Sequence, residues 1–207
     1  MGNIRALDLL KLAAAVAASI VVVAGFACIS RSLNDSPEEQ AYGYFLRDVA
    51  TVEAMGLPVY WLGREFTVDG LGFRGPYGGG FGGEVEGGGI YMTYLLEGAN
   101  SSLDLTVYSR EAWELVKDRM MNPRLPGIER RTVSVAGRDG ELLFQYAGAG
   151  PRLNALWLVL DLGDVVAVAE AHSVIGSAVQ GSPELNPLIK NPDLLVQVMQ
   201  DLRPYPQ

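Results

Sequence analysis

The longest uncharged stretch of the chain lies near its N-terminus and divides the sequence into two unlike parts. Leu12 to Ser30 contains 19 residues and no charged side chain. As an α-helix it would span roughly 28 Å, close to a bilayer core of about 30 Å. Arg5 and Lys11 precede it. Because basic residues favour the cytoplasmic side of a membrane segment, we expect the N-terminus inside the cell and the rest of the chain outside.

Residues 1–31 are therefore interpreted as a signal anchor or a lipoprotein signal, and three processing modes stay open. The segment could remain as an uncleaved anchor. Gly25-Phe26-Ala27-Cys28 resembles a bacterial lipobox at the small residue before the cysteine, so Cys28 is a candidate for lipidation. Cleavage behind Ala27 without lipid is the third mode, because small residues stand at the −3 and −1 places.

The rest of the chain, residues 32–207, is strongly acidic. It carries 13 basic and 23 acidic side chains, a net charge of −10. Such a domain repels phosphate backbones, so a nucleic-acid partner is not expected. An anionic lipid surface is disfavoured as a partner of the domain for the same reason. The expected partners are the membrane, through the N-terminal segment, and a protein complex in that membrane.

Local patterns in residues 32–207 predict helices and hairpins. Ser36-Pro37-Glu38-Glu39 has the residues of a capping box and a first-turn proline, so it should begin a helix. Three pairs of β-rich runs surround short turn sequences and predict hairpins. The predicted elements, in chain order, are a strand at 58–62, a hairpin of 90–96 with 102–108, a helix at 110–121, a hairpin of 130–136 with 141–146, a hairpin of 156–162 with 165–172, and a last helix beginning at Asn191-Pro192.

The order of these elements predicts an α+β domain. Hairpins exclude a parallel doubly wound sheet, so we expect an antiparallel β-sheet with packed helices, an arrangement like an α/β/α sandwich. One transmembrane or signal helix would precede it. Residues 173–190 are expected to form a loop, because Pro183 and Pro187 interrupt them.

Asp69 to Gly89 is expected to form a glycine-rich loop. Eleven of its 21 residues are glycine, and such a stretch buries few side chains to offset its ordering entropy. Gly70 to Gly75 fits the pattern GxGxxG, but a dinucleotide site needs that turn to open a helix, and Pro76 follows instead. The loop's aromatic side chains, Phe73, Tyr77 and Phe81, are candidates for binding a partner.

The C-terminal half resembles the PsbP-like α/β/α sandwich domains of bacterial membrane-anchored lipoproteins. The resemblance, over residues 90–204, lies in Leu156-Trp157-Leu158-Val159-Leu160, a tight turn, Val165 to His172, a loop, and a closing helix that ends at Leu202-Arg203-Pro204. It implies an accessory or binding module of a membrane complex. It implies no reaction and no site residue.

The sequence offers little catalytic chemistry. His172 is the only histidine and Cys28 the only cysteine, so a zinc site built from these residue types is excluded. A hydrolase using His172 would place it on the same strand face as Glu170. No GxSxG elbow is present, and we expect no cofactor and no metal. Tyr60, Trp61, Trp113 and Trp157 are expected to be core residues rather than the lining of a pocket.

Three hypotheses of function follow. The first is a membrane-tethered, extracytoplasmic accessory or binding domain without catalytic activity. The second is a carrier that holds a small apolar ligand between sheet and helix. The third is an envelope hydrolase that uses His172 or a pair of carboxylates.

Overall fold

A computed structural model describes residues 36–77, 85–98, 101–120, 128–146, 153–172 and 186–206, with the side chains of Arg119, Met120, Asn154 and His172 excepted. Within these ranges, none of the helices is long and apolar enough to cross a membrane. The predicted apolar helix of residues 12–30 and the lipidation candidate Cys28 lie outside them.

Four helices and ten strands make up the described part of the chain. The helices are α1 (Pro37–Ala54), α2 (Arg110–Met120), α3 (Pro187–Lys190) and α4 (Pro192–Gln200). The strands are β1 (Tyr60–Trp61), β2 (Glu65–Val68), β3 (Leu71–Tyr77), β4 (Gly89–Leu96), β5 (Ser102–Ser109), β6 (Ile128–Val135), β7 (Arg138–Tyr146), β8 (Leu153–Asp161), β9 (Val165–His172) and β10 (Arg203–Pro204). The chain is therefore α+β, as predicted.

Eight of the strands form one antiparallel sheet. Its order is β2-β3-β4-β5-β9-β8-β7-β6, so two four-stranded meanders meet where β5 pairs with β9. Each pairing in this sheet is antiparallel. The remaining two strands, β1 and β10, pair with each other, and the Tyr205 N–H donates to the Val59 carbonyl at 2.8 Å.

The two faces of the sheet bury different amounts of apolar surface. Side chains alternate along a strand, so Leu103, Leu105 and Val107 of β5 share what we call the first face. All three are at most 1% exposed, and they belong to a large cluster that includes side chains of α1, α3 and α4. The second face carries a smaller cluster beneath α2, made of Trp113, Leu143, Val159, Val166 and Val168.

The start of α1 agrees with the capping prediction. The Glu39 N–H donates to Ser36 Oγ at 3.2 Å, and the Gln40 N–H donates to the Ser36 carbonyl at 3.0 Å. The first bond satisfies an N–H group that an uncapped helix would leave without a partner, and the second is the first i→i−4 bond of the helix.

All three predicted hairpins are present, with shifted boundaries. The β6–β7 turn consists of Ala136 and Gly137, both with positive φ, which is the two-residue turn that suits twisted antiparallel strands. The predicted turn was longer, from Gly137 to Gly140, and was wrong at its C-terminal side because Arg138 already belongs to β7. The predicted loop at 173–190 was wrong over Pro187–Lys190, which form α3.

The prediction of a loop at 69–89 was wrong over Leu71–Tyr77, which form β3 in the middle of one meander. Close backbone approach explains the glycines. A Cβ atom at Gly75 would lie 2.7 Å from the Thr93 carbonyl oxygen, and one at Gly89 would lie 2.3 Å from that of Val107. Glycine permits such approaches, and backbone pairing together with burial of Phe73 orders the strand. Residues 78–84 lie outside the described ranges.

Candidate functional site

A row of polar and aromatic side chains crosses the second face of the sheet. Thr93 of β4 pairs with Asp104 of β5, Asp104 with Glu170 of β9, and Glu170 with Trp157 of β8. Directly paired side chains of an antiparallel sheet lie on the same face, with Cβ atoms about 5 Å apart. All four side chains are partly exposed. We call Thr93, Asp104, Glu170 and Trp157 the central row.

Hydrogen bonds hold one end of the central row in place. Thr93 Oγ1 donates to Asp104 Oδ1 at 2.9 Å, and the hydroxyl of Tyr91 takes part in hydrogen bonds with the side chains of Thr93 and Asp104. Burial raises the pKa of Tyr91 to about 12, and the carboxylate of Asp104 contributes in the same direction. Tyr91 therefore stays protonated well above neutral pH.

The pKa of Tyr108 in β5 is also raised. Burial is the main cause, and the negative charge of Glu170 adds to it. The ring of Tyr108 lies 5.9 Å from that of Trp113 of α2, centroid to centroid. The edge of α2 and the central row are thus neighbours. The partly exposed polar side chains of the row lie beside the apolar cluster beneath α2. Leu95 of β4, on the same face, is 49% exposed.

A cleft of about 570 Å³ lies where α2 begins. Its walls come from the end of α1, the segment before β4, the first turn of α2 and the β8–β9 turn. Ser109 precedes α2, and its Oγ accepts from the Ala112 N–H at 3.0 Å and donates to the Gly87 carbonyl at 2.7 Å. The lining residues are Met55, Leu57, Gly87, Gly88, Ser109, Arg110, Glu111 and Asp164.

Arg110 connects two walls of this cleft. Its Nε donates to the Gly163 carbonyl at 2.6 Å, and its guanidinium forms an ion pair with Asp161. The Gly163 N–H also donates to Asp161 Oδ1 at 2.9 Å. These bonds lower the pKa of Asp161, with the Arg110 contact as the larger cause. Asp161 thus stabilises the β8–β9 turn.

The three aromatic candidates for partner binding do not form one exposed surface. Phe73 is 1% exposed and stacks on Phe66 at 4.8 Å between ring centroids. The prediction that Phe73 contacts a partner was wrong, because its ring is enclosed by other side chains of the first face. Tyr77 is partly exposed at the end of β3. Phe81 lies outside the described residues.

The other candidates from the sequence are mostly structural. Trp61 and Trp113 are 9% and 6% exposed, which confirms that they belong to the core, while Tyr60 and Trp157 are partly exposed. His172, in β9, pairs with Ala155 of β8, and the side chain of His172 is not among those described. Within the described ranges, His, Cys, Asp and Glu form no cluster of three that could hold a metal ion.

The central row could not be found from local patterns, because it depends on which strands pair and in which register. The alternation of polar and apolar residues in Ser102–Ser109 is the one signal that pointed toward it. No known family model matches the chain, and neither a curated protein nor a solved structure is significantly similar to it.

Proposed function

We propose that the chain is a membrane-tethered accessory or binding domain without catalytic activity, held on the extracytoplasmic side of a cell membrane. The observation that carries the proposal is the 19-residue uncharged run Leu12–Ser30 between basic residues and an acidic domain of net charge −10. The run is stable in hydrocarbon, whereas the domain requires water. Tethering raises the local concentration of the domain at the membrane, so weak contacts suffice for binding.

The finer architecture belongs to the same proposal. Helices α1, α3 and α4 pack on the first face and α2 on the second, which supports the α/β/α sandwich and the resemblance to PsbP-like domains. The membrane or signal helix would precede Ser32, kept as an uncleaved anchor or cleaved before Cys28 with lipid on its thiol. Cleavage behind Ala27 without lipid is the alternative that would release the domain from the membrane.

The central row supports the binding role. Rigid strands carry its side chains, and binding groups on such elements are better positioned than groups on loops. Its members are partly exposed and include hydrogen-bonding groups and an indole. The indole of Trp157 belongs to a residue type that is enriched at protein interfaces.

The tether is tested by fractionating cells and measuring the intact mass of the chain extracted from membranes. We expect the chain in the membrane fraction, at the mass of the full chain or of a chain cleaved and lipidated at Cys28. A soluble chain cleaved behind Ala27 without lipid would contradict the tether. Replacing Val22 and Val23 with Asp should remove the membrane association, because charged residues are costly in hydrocarbon. Full-length wild-type chain that is free in the cytosol would refute the tether.

The binding role is tested by crosslinking in membranes followed by gentle solubilisation and affinity capture. We expect a stoichiometric membrane protein to be captured with the wild type, and less of it with the pair Asp104→Asn and Glu170→Gln. The matched control is Glu53→Gln with Asp139→Asn, which changes the net charge equally at exposed positions outside the central row. Repeated capture of the chain alone, or equal loss in the control, would contradict the proposal.

A further inference from the structure

The cleft at the start of α2 has the dimensions of a site for a small molecule. Its volume of about 570 Å³ falls within the range of roughly 300–1,000 Å³ that ligand pockets occupy. Four separate segments of the chain form its walls, so the tertiary fold creates it.

Two glycines form a backbone wall of the cleft. Gly87 and Gly88 have φ of +83° and +100°, a conformation that other residues rarely adopt. A Cβ atom at Gly87 would lie 3.2 Å from Ala112, and one at Gly88 would lie 3.2 Å from Leu57 and 3.3 Å from Ser109 Oγ. The backbone therefore packs closely against the start of α2, and this wall presents peptide groups in place of side chains.

The charge of the lining is negative. The guanidinium of Arg110 is neutralised by its ion pair with Asp161. Glu111 and Asp164 add two carboxylates, both exposed. The N-terminus of a helix contributes only about half a positive charge. One of its N–H groups, that of Ala112, already donates a hydrogen bond to Ser109 Oγ. Two full negative charges outweigh this dipole, so the cleft favours a cation over an anion.

An apolar wall faces the ligand as well. Met55 follows α1 and is 48% exposed, although it is a large hydrophobic residue, and the neighbouring Leu57 is partly exposed. A hydrated metal ion gains nothing from a thioether and an isobutyl group, because hard cations take oxygen ligands. An organic cation with a short apolar chain uses both walls.

We propose that the cleft binds a small organic amine, with its ammonium group at the carboxylates of Glu111 and Asp164 and its apolar chain against Met55 and Leu57. The site is distinct from the central row, and it does not depend on the membrane tether. Its failure would therefore leave the proposed function untouched.

The test is a titration of the full chain, in detergent micelles, with n-butylammonium, followed through backbone amide chemical shifts. We expect saturable shifts confined to residues 55–57, 87–88, 109–111 and 163–164. Methylammonium should bind more weakly because it lacks the apolar chain, and n-butyrate should cause no saturable shift. Saturable binding of n-butyrate or n-butanol at these amides as tight as that of n-butylammonium, or shifts spread over the whole domain, would overturn the proposal.

Two variants divide the contributions. Glu111→Gln with Asp164→Asn should weaken n-butylammonium binding about two- to tenfold, as expected for exposed ion pairs. The matched control, Asp118→Asn with Asp139→Asn, changes the net charge equally outside the cleft and should bind as the wild type does. Met55→Ser should reduce the preference for n-butylammonium over methylammonium. Unchanged affinity in the Glu111/Asp164 variant would refute the role of the carboxylates.

Discussion

The two faces of the eight-stranded sheet are built from the same strands and serve different purposes. On the first face, Leu103, Leu105 and Val107 of β5 and their neighbours are enclosed by α1, α3 and α4. On the second face, the same strand presents Asp104, Thr106 and Tyr108, and the apolar cluster is confined to the area beneath α2. One strand thus supplies core residues on the first face and, at Asp104 and Tyr108, partly exposed polar residues on the second. Thr106, between them, is 8% exposed.

This difference indicates where the domain can change without unfolding. Burying a leucine contributes about 2 kcal/mol, so the first face provides most of the stability and tolerates little variation. The central row buries less apolar surface, so substitutions there that introduce binding groups should cost less stability. Substitutions should therefore affect stability on the first face and binding on the second, and four predictions test this division.

The largest effect is expected for Leu105→Ala, in the middle of the first face. Leu105 is 0% exposed, and truncating such a leucine costs about 3–4 kcal/mol through lost burial and the resulting cavity. Urea or guanidinium unfolding of the full chain in micelles measures this change. A cost below about 1 kcal/mol would show that the first face is not the main core.

A smaller loss is expected for Trp113→Ala, which removes the main contact of α2 with the second face. Trp113 is 6% exposed in the smaller cluster, so the expected cost is about 2–3 kcal/mol, at or below the usual range for buried tryptophan. Hydrogen exchange should show faster exchange in α2 than in α4. The control Leu115→Ala, at a side chain 68% exposed, should change stability by less than about 0.5 kcal/mol. Equal protection of α2 and α4 in the Trp113 variant would contradict the comparison.

Ser109→Ala should cost about 1–2 kcal/mol, because it removes a helix cap and leaves a carbonyl without its donor. Ser109 Oγ accepts from the Ala112 N–H and donates to the Gly87 carbonyl. Ser109→Asp keeps the acceptor but loses the donor, so its stability at neutral pH should lie between those of wild type and Ser109→Ala. Thermal unfolding separates the three, and no difference between Ser109→Ala and wild type would show that the cap contributes little.

The smallest effect at neutral pH is expected for Tyr91→Phe on the second face. Burial raises the folded pKa of Tyr91 from 10.0 to about 12. A raised pKa stabilises the fold below pH 10, and this contribution is lost as the pH rises from about 10 to about 12, because the unfolded state ionises first. Tyr91→Phe should therefore reduce the fall of unfolding free energy in that interval, by on the order of 1 kcal/mol. A pH series of denaturant midpoints measures it, and identical pH profiles would contradict the assignment.

The part of the fold that local chemistry determines was predictable from the sequence. Ser36 and Pro37 marked the start of α1, and the turn sequences between apolar runs marked three hairpins. The strand β3 was missed because its glycines fit a close approach to neighbouring backbone, as at Gly75 and Thr93. That approach depends on residues distant in sequence, which no local pattern reports.

The candidate site was less predictable than the fold, for the same physical reason. Alternation placed Glu170 and His172 on one strand face. It could not place Asp104 beside Glu170, because β5 and β9 are about 60 residues apart and no short turn joins them to fix the register. Phe73 was misassigned because glycine-rich surroundings suggested a surface loop, whereas strand pairing places its ring in the core.

The most direct test of the membrane placement is labelling of Asp139→Cys with a membrane-impermeant maleimide in intact cells. Asp139 is exposed beside the β6–β7 turn, and the wild type, with Cys28 as its one cysteine, provides the background. If the domain lies outside the membrane, Cys at position 139 should react before the cells are lysed. Spheroplasts take the place of intact cells where an outer membrane would block the reagent. Labelling that occurs only after lysis would place the domain in the cytoplasm and contradict the account.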